Sequence, residues 1–546
     1  MTATTTVRTG AELVGETLAA LGVRQVFGVV GSGNFVATAA LVEAGARFCG
    51  ARHESAAASM ADAYWRTTGK VAVCSVHQGP GLTNALTALA EASKSRVPLV
   101  VIAGATSAGS LRSNFYVDQA ALVAATGCAT EQIHRPQSVV TDTVRAYRRA
   151  VDEQRPVVLN MPLDIQAATP AEPDEPQLLR PDTRVTPPDA VLEDLCRRLL
   201  TARRPLIIGG QGAWRSGARE SLVELADAVG ARLATTAIAK GMFDASPWSV
   251  GIAGGFSTDA AAATLEQADL IVAAGASLTT WSTRGDTIFN DGDTVVQIDR
   301  DPAALGLNAH VNVAVVGDVD ATARAALRRL SGRTPASEFR DTPVPGTDLS
   351  YGGELASPAH PGQLTARLEQ LLPPERTVVL DGGHFIGWPA RGLSVPDPAG
   401  LVFTSAGFQS IGLGMGAAVG AAVGRPERTT VLAVGDGGFL MGVSELETMV
   451  RLHLPVLVAV YDDAAYGAEV HHFRHHGSGL DLVSFPETDI AEMARGAGAV
   501  ARTVRSVADL DVVTTWLSDH DGPLVLDMKI DPTLVGPWAE QDFLGH

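Results

Sequence analysis

Residues 430–467 read TVLAVGDGGFLMGVSELETMVRLHLPVLVAVYDDAAYG, and this stretch decides the fold. Residues 431–434 form an apolar run typical of a buried strand, and the glycine-rich residues 435–438 predict a tight turn. Residues 441 to about 453 repeat apolar side chains at helical spacing, and residues 455–461 are a second apolar run. The order predicts a strand, a helix and a second strand parallel to the first.

An aspartate follows each of these two strands. Asp436 lies between glycines after the first strand, and Asp463 follows the second. The carboxyl ends of parallel strands share one edge of a sheet, where open α/β folds bind ligands. Mg²⁺ favours carboxylate and phosphate oxygens, and the start of the intervening helix favours a phosphate. The unit therefore predicts a diphosphate held through Mg²⁺, although Gly-Asp-Gly alone is also a common β-turn sequence.

The full pattern is more specific than the triplet. Gly-Asp-Gly, Glu445-Leu446, Leu454-Pro455-Val456 and an acidic pair ending 27 residues after Asp436 resemble the thiamine diphosphate signature of the pyruvate decarboxylase and acetolactate synthase superfamily. This resemblance implies Mg²⁺ ligation by Asp436, Asp463 and the carbonyl of Ala465. It also implies cofactor contacts from Glu54, His384, Gln409, Ile411, Gly435, Asp436, Gly437, Gly438, Asp463, Ala465, Tyr466 and Gly467.

One feature departs from the family. Where the family usually has Asn-Asn, this chain has Asp462-Asp463. An aspartate at position 463 still suits Mg²⁺, but the extra negative charge lies next to the expected diphosphate. Metal affinity and metal preference are therefore open.

Composition excludes several classes of function. The chain has 546 residues, a net charge of −18 and no basic run, which argues against nucleic acid and anionic membrane surfaces as partners. It has four cysteines without metal-ligand spacing and no apolar run long enough to span a membrane. These features predict a cytoplasmic protein that binds neither nucleic acid nor membrane.

The length and the pattern predict an α/β fold of three doubly wound parallel-sheet domains. Helical and apolar strand-like segments alternate in each, and Pro-rich linkers separate them over 167–189 and 332–362. The resemblance covers essentially the whole chain. It implies a pyrimidine-binding domain over 1–166, a Rossmann-like central domain over 190–331 and a diphosphate-binding domain over 363–546. It further implies a homodimer or homotetramer with the cofactor between subunits.

Glu54 begins an apparent helix, ESAAASMADAYW, whose next residues are small and apolar. Such surroundings should raise its pKa by desolvation, as a proton relay requires. A glutamate at a helix start can also serve only the helix dipole. Arg52-His53-Glu54 resembles the family's activating glutamate, which hydrogen-bonds the aminopyrimidine ring of the cofactor.

In the third block, FTSAGFQSIGLGMG places Ile411 where the family has a large aliphatic side chain that wedges the two cofactor rings into a V. The resemblance implies that Gln409 offers its backbone carbonyl to the cofactor's 4′-nitrogen. The alternative for Ile411 is an ordinary core position.

Ser32 in VVGSGNF and His77 in SVHQGPG resemble the serine and histidine of benzoylformate decarboxylases that handle the substrate carboxylate and proton transfers. A histidine at the carboxyl end of a strand suits acid–base chemistry near neutral pH. The neighbouring Gly31 and Gln78 are candidate substrate contacts. A structural histidine and a helix-capping serine are the alternatives.

Glu469 in YGAEVHHF aligns with a family glutamate near the reacting carbon, or it lies on a solvated helix face. His471 and His472, with His475 and His476, suggest a zinc site at first sight. Helical spacing does not bring all four together, so the segment is predicted to gate the site or to contact substrate instead.

The central block contains IIGGQGAW and QIDRD, which look like remnants of dinucleotide-binding loops. GASLTTWSTR lacks the arginine that acetolactate synthases have there. FAD is therefore possible, with structural packing the favoured explanation.

The resemblance implies a thiamine diphosphate- and Mg²⁺-dependent lyase or transferase acting on a small 2-oxo acid. The main hypothesis is decarboxylation followed by ligation to a second carbonyl compound, as in acetolactate synthases. The alternatives are an aldehyde-releasing decarboxylase, favoured by Ser32, His77 and Glu469, and a cofactor-binding but catalytically silent partner.

Overall fold

The computed structural model describes residues 8–170, 184–290, 292–341, 343, 349, 351, 359–476, 478–519 and 521–539. These residues form three sheets of six parallel strands each, flanked by helices. The predicted α/β fold with three parallel sheets is confirmed. Parts of both predicted linkers, residues 171–183 and most of 342–358, lie outside the described residues.

The first sheet has the spatial order β2-β1-β3-β4-β6-β5. Its strands are β1 Gln25–Gly28, β2 Arg47–Gly50, β3 Val73–Val76, β4 Val100–Ala105, β5 Ala129–Gln132 and β6 Val157–Pro162. Its helices are α1 Gly10–Ala20, α2 Phe35–Glu43, α3 Glu54–Thr68, α4 Pro80–Lys94, α5 Gln119–Ala125, α6 Val139–Glu153 and α7 Leu163–Ala167. The sequence pattern does not reveal β2 or β5, because both are partly exposed edge strands without a continuous apolar run.

The second sheet has the order β12-β11-β10-β7-β8-β9. Its strands are β7 Pro205–Gly209, β8 Arg232–Thr235, β9 Ser249–Ile252, β10 Leu270–Ala274, β11 Thr294–Asp299 and β12 Val313–Val316. Its helices are α8 Asp189–Thr201, α9 Gln211–Arg215, α10 Arg219–Val229, α11 Asp259–Leu265 and α12 Val319–Leu330. Counted from β9, this is the 3-2-1-4-5-6 strand order of dinucleotide-binding folds.

The third sheet, ordered β14-β13-β15-β16-β18-β17, repeats the topology of the first. Its strands are β13 Arg376–Leu380, β14 Leu401–Phe403, β15 Thr429–Gly435, β16 Val456–Asp462, β17 Val500–Val504 and β18 Leu524–Lys529. Its helices are α13 Pro361–Leu371, α14 Gly387–Gly392, α15 Gly414–Gly424, α16 Asp436–Gly442, α17 Glu445–Arg451, α18 Gly467–Phe473, α19 Ile490–Gly496 and α20 Val512–Asp519.

The single helix predicted over about 441–453 is wrong in its bounds. The chain forms two short helices, α16 and α17, and Gly435 is the N-cap of α16. The Gly-Asp-Gly segment is therefore the start of a helix and not a tight turn. Glycine at position 438 permits this start, because a Cβ there would lie 2.6 Å from Asp381 Oδ2.

Helices α3 and α15 join the first and third sheets through close backbone contact. A Cβ on Gly416 would lie 2.8 Å from Ala56 Cα, and one on Gly420 would lie 2.1 Å from Met60 O. These pairs show that the two helices run parallel. Because each follows the carboxyl end of a strand, the carboxyl edges of the two sheets lie side by side.

Among the described residues, the helices are all too short or too polar to cross a bilayer.

Candidate active site

Asp436 and Asp463 lie at the carboxyl ends of neighbouring strands, since Gly435 in β15 pairs with Tyr461 in β16. Burial, and then the charges of Asp462 and Asp463, raise the pKa of Asp436 to about 7. Burial, and more weakly Asp462, raise the pKa of Asp463 to about 6. Crowded carboxylates of this kind, one buried and one half-buried, suit a divalent cation, whose binding would displace any bound proton.

The loop after β16 is held in an unusual conformation. Ala464 has a φ of +54°, in the left-handed region that non-glycine residues seldom adopt, and its N–H donates to Asp462 Oδ1 at 3.0 Å. Tyr466 N–H donates to Val483 O, and Ala464 O accepts from Phe485 N–H. These bonds fix the backbone on both sides of Ala465. A strained, well-anchored loop beside two carboxylates is typical of a functional site.

Glycines bring the other predicted cofactor contacts close to the two aspartates. A Cβ on Gly437 would lie 2.8 Å from the Tyr466 ring, and one on Gly467 would lie 2.3 Å from Asp463 Oδ2 and 3.6 Å from His384 Cβ. The backbone can therefore approach a ligand closely at this edge. The donor set and the cradle fit a diphosphate bound through Mg²⁺.

A second loop, before α15, carries Gln409 and Ile411. Gln409 has a φ of +56°, and Ile411 is half-buried, so it is not an ordinary core residue. A Cβ on Gly382 would lie 3.0 Å from Ile411 Cγ2. The buried carboxylate of Asp381 accepts from Gly382 N and Gly412 N, each at 2.9 Å, and so ties this loop to the end of β13.

Strand order explains why the candidate residues converge in two groups. The spatial order of the strands reverses between β13 and β15 in the third sheet and between β1 and β3 in the first. Open α/β sheets bind ligands at such switch points. His384 and Asp436 follow the two strands at one switch point, and Ser32 and His77 follow the two strands at the other.

Ser32 and His77 form a hydrogen-bonding pair, with 3.3 Å between Oγ and Nε2. His77 Nδ1 lies 3.0 Å from Gln78 O. Because a carbonyl only accepts, Nδ1 carries the proton and Nε2 of the neutral ring accepts from Ser32. A Cβ on Gly31 would lie 2.4 Å from His77 Cδ2, so Gly31 allows the ring to pack there.

The side chain of Gln78, a candidate substrate contact, does not join the Ser32–His77 pair. It is 3% exposed, and its Oε1 lies 1.7 Å from the position a Cβ on Gly33 would take and 2.5 Å from that on Gly104. This packing places the Gln78 side chain in the interior beneath the loop that carries Ser32.

Glu54 begins α3, and its Oε2 accepts from Asn84 Nδ2 at 3.0 Å. The fully buried Glu445 accepts from Arg52 N at 2.9 Å and His53 N at 3.0 Å, which fixes the backbone just before Glu54. Glu54 itself is only half-buried. A single chain therefore does not complete the apolar enclosure that the sequence led us to expect.

Glu54 and His77 both lie next to Gly81. A Cβ on Gly81 would lie 3.1 Å from His77 Cβ and 3.5 Å from Glu54 Oε1. The carboxylate, the histidine and its partner Ser32 therefore form one polar group at the carboxyl edge of the first sheet.

Helix α18 carries the remaining candidates. Glu469 is exposed, the His471 ring lies 4.1 Å from that of His384, and the His472 ring packs on Phe473. Among the described residues, no group of three or more His, Cys, Asp or Glu side chains is arranged to hold a metal ion.

His384 is held by the end of the chain. Its Nε2 accepts from Gly536 N at 3.0 Å, and its carbonyl accepts from Trp538 Nε1 at 2.8 Å. Burial, and then His471, lower the pKa of His384 to about 3, so the ring is neutral. The segment around Trp538 thus packs beside the site.

The glycine cluster of the second sheet has a structural explanation. A Cβ on Gly210 would lie 2.2 Å from Gly275 O, and one on Gly212 would lie 2.9 Å from Gly275 Cα. The loops after β7 and β10 therefore pack directly on each other. This contact accounts for the glycines without FAD, in line with the structural packing that the sequence favours.

Sequence reasoning missed two polar residues of the site, Asp381 and Asn84. It also missed that Glu445 caps the start of α3. Asp381 follows β13 as Asp436 follows β15, and Asn84 lies on the helix after His77, so both had a positional signal. The contact of Glu445 with Arg52 and His53 joins residues nearly 400 positions apart and had none.

Three family models match the chain. They are the thiamine pyrophosphate enzyme N-terminal TPP binding domain over residues 8–140, the central domain over 192–326 and the C-terminal TPP binding domain over 381–528.

Named relatives span nearly the same length. The chain is 29% identical over 544 residues to the acetolactate synthase isozyme 2 large subunit of Escherichia coli, covering 96% of this chain and 95% of that one. It is 29% identical over 516 residues to a probable 2-ketoarginine decarboxylase of Pseudomonas aeruginosa, covering 90% and 89%. The benzoylformate decarboxylase of Polynucleobacter necessarius matches in structure with a TM-score of 0.83 at 23% identity, covering 96% and 99%, which supports the fold.

Proposed function

We propose, because the chain belongs to the thiamine pyrophosphate enzyme family, that it decarboxylates a 2-oxo acid and ligates the remaining fragment to a second carbonyl compound. The reaction would use thiamine diphosphate and Mg²⁺. The observation that carries the proposal is the pair of buried Asp436 and half-buried Asp463 at the carboxyl ends of the neighbouring strands β15 and β16.

Asp436, Asp463 and the carbonyl of Ala465 would ligate Mg²⁺, and the backbone at Gly437 and Gly467 would approach the diphosphate. When bound, thiamine diphosphate supplies the carbon nucleophile and electron sink for cleaving a bond next to a carbonyl. Ile411 and Gln409, on the loop tied down by Asp381, would support the cofactor rings.

Glu54 would hold a proton on its carboxyl group, facing the aminopyrimidine ring of a cofactor bound to a second chain. Within one chain, the carboxyl edges of the first and third sheets lie side by side and do not face each other. A cofactor bound at the third sheet of one chain would therefore meet Glu54 of a second chain, which supports this arrangement. Exposed apolar side chains near both edges, such as Phe35 at 60% and Met441 at 55% exposure, give a second chain a surface to cover. We therefore propose a homodimer as the smallest active unit.

Ser32 would donate a hydrogen bond to the substrate carboxylate, and His77 would transfer a proton through Nε2. The fixed Nδ1–H of His77 keeps Nε2 directed at Ser32 and the crevice. This pair favours a second candidate function, in which the fragment is protonated and released as an aldehyde.

Release of CO₂ tests the proposal. With thiamine diphosphate and Mg²⁺, we expect CO₂ from at least one member of a panel of aliphatic, basic and aromatic 2-oxo acids, and none after EDTA treatment. Product analysis with and without an added second 2-oxo acid or aldehyde separates ligation from aldehyde release. Cofactor-dependent thermal stabilisation without CO₂ from any donor would contradict the proposal and support a silent partner.

His77→Phe should lower turnover about a hundredfold or more, because a positioned proton donor contributes about 10²–10⁴-fold. Steady-state kinetics on the best substrate measure the effect, and fluorescence titration should show cofactor binding unchanged within about threefold of the wild type. His310→Phe is the matched control, since His310 is exposed and lies just before β12 of the second sheet. Equal turnover in both variants would remove His77 from the chemistry.

A further inference from the structure

A buried ion cluster lies directly behind the metal loop. Lys529 Nζ donates to Asp462 Oδ2 at 2.5 Å and lies 3.1 Å from Asp527 Oδ2. It also donates to Thr488 O at 2.8 Å. The side chains of Lys529, Asp462 and Asp527 are at most 8% exposed. Removing one partner from such a cluster leaves a buried charge without compensation.

Strand register places this cluster next to the proposed metal ligands. Asp462 in β16 pairs with Lys529 in β18, and Asp462 immediately precedes Asp463. Asp527 pairs with Val460, two residues further from the loop. Lys529 therefore faces one carboxylate at the metal loop, one deeper in the sheet and, at 3.6 Å, the carboxylate of the exposed Glu487.

Both carboxylate oxygens of Asp462 already have partners within the protein. Oδ1 accepts from Ala464 N, and Oδ2 accepts from Lys529. Asp462 is thus an anchor of the left-handed turn at Ala464, which presents Asp463 and Ala465, and not a third carboxylate ligand. Asp462 nevertheless lies close enough to Asp436 and Asp463 to act on both electrostatically.

We propose that Lys529 is a positioning residue that neutralises Asp462, so that an aspartate can anchor the metal loop without repelling the diphosphate. Three carboxylates at this loop exceed the charge of one divalent cation by one, and Lys529 places a positive charge directly against one of them, Asp462. The inference rests on the proposed function and concerns how this chain accommodates Asp462 where the family usually has asparagine.

The test uses four forms of the full-length chain: wild type, Lys529→Met, D462N/K529M and D527N/K529M. Both double variants remove one carboxylate from the same buried cluster, but only D462N removes the carboxylate at the metal loop. Isothermal titration at saturating Mg²⁺ gives the Kd for thiamine diphosphate. A separate titration with Mg²⁺ alone gives metal affinity, and thermal unfolding without ligands checks folding.

Lys529→Met should raise the cofactor Kd about tenfold or more, the size expected for one uncompensated charge nearby at an effective dielectric constant of about 20. Mg²⁺ alone should bind at least as tightly as to the wild type, because the added negative charge attracts the cation. D462N/K529M should return the cofactor Kd to within about threefold of the wild type, whereas D527N/K529M should stay weak.

Equal rescue by both double variants, or rescue by neither, would overturn the inference, as would an unchanged Kd in Lys529→Met. If Lys529→Met does not fold, the two double variants decide: a cofactor Kd for D462N/K529M within about threefold of the wild type, with D527N/K529M weaker, supports charge compensation, and a D462N/K529M variant as weak as D527N/K529M overturns it. A wild type that binds no thiamine diphosphate with Mg²⁺ would overturn the proposed function itself, and the inference with it.

Discussion

Asp436→Asn should abolish Mg²⁺-dependent binding of thiamine diphosphate and lower turnover more than about a hundredfold, because even residues one contact removed from a metal are worth about 10–100-fold. The substitution keeps the shape of the side chain and removes one of its two anionic ligand oxygens. Isothermal titration of the metal-stripped protein with the cofactor, with and without Mg²⁺, measures the loss.

The same substitution should raise the stability of the ligand-free protein. The folded-state pKa of Asp436 lies near 7, above its ordinary value of 3.8, so the ionised carboxylate destabilises the fold increasingly as pH rises from about 4 to about 7. Asparagine removes that cost. We expect an increase of about 1–2 kcal/mol in the free energy of unfolding at pH 7.5, measured by denaturant titration without metal.

Asp142→Asn is the matched control. Asp142 is also a buried carboxylate, but it accepts from Ser138 Oγ, His134 N and Arg145 Nη1. Its replacement should destabilise the protein and leave cofactor affinity unchanged. If Asp436→Asn behaves like Asp142→Asn, Asp436 is a structural acid and the proposed metal site is wrong.

Glu54→Gln should lower turnover about a thousandfold and leave the Kd for thiamine diphosphate within about tenfold of the wild type. Glutamine retains an acceptor for Asn84, so the start of α3 keeps its geometry. It cannot take up or release the proton that the proposed role requires. Steady-state rates and isothermal titration on the same preparation separate chemistry from binding.

Glu447→Gln is the control for Glu54, because Glu447 is an exposed carboxylate that pairs with Arg52 just before α3. It should have little effect on turnover. A Glu54→Gln enzyme with undiminished turnover would remove Glu54 from the mechanism, and one that no longer binds cofactor would make its role structural.

The fold was predictable where apolar periodicity is strong. The parallel pair β15 and β16 within residues 430–467 is as expected, but two short helices, α16 and α17, connect the strands where one was predicted. The helix in that unit was predicted too late in the chain, because glycine's low helix propensity conceals that Gly437 and Gly438 begin α16 against Asp381.

The site was predictable where a residue follows a strand. Asp436, Asp463, Ser32 and His77 all lie at carboxyl ends of parallel strands, so one rule of α/β folds brought each group together. Lys529 could not be found in this way. Its contact with Asp462 depends on β16 and β18 being neighbours in register, which sequence periodicity does not encode.

The central claim is that a cofactor held by Asp436 and Asp463 of one chain meets Glu54 of another. Co-expressing Glu54→Gln and Asp436→Asn chains with different tags, and assaying the doubly purified enzyme, tests it most directly. Each mixed dimer would contain one site with both residues intact and one site with both substituted, so the doubly purified enzyme should show about one half of wild-type turnover although both parents are inactive. Mixed dimers as inactive as either parent would contradict the account.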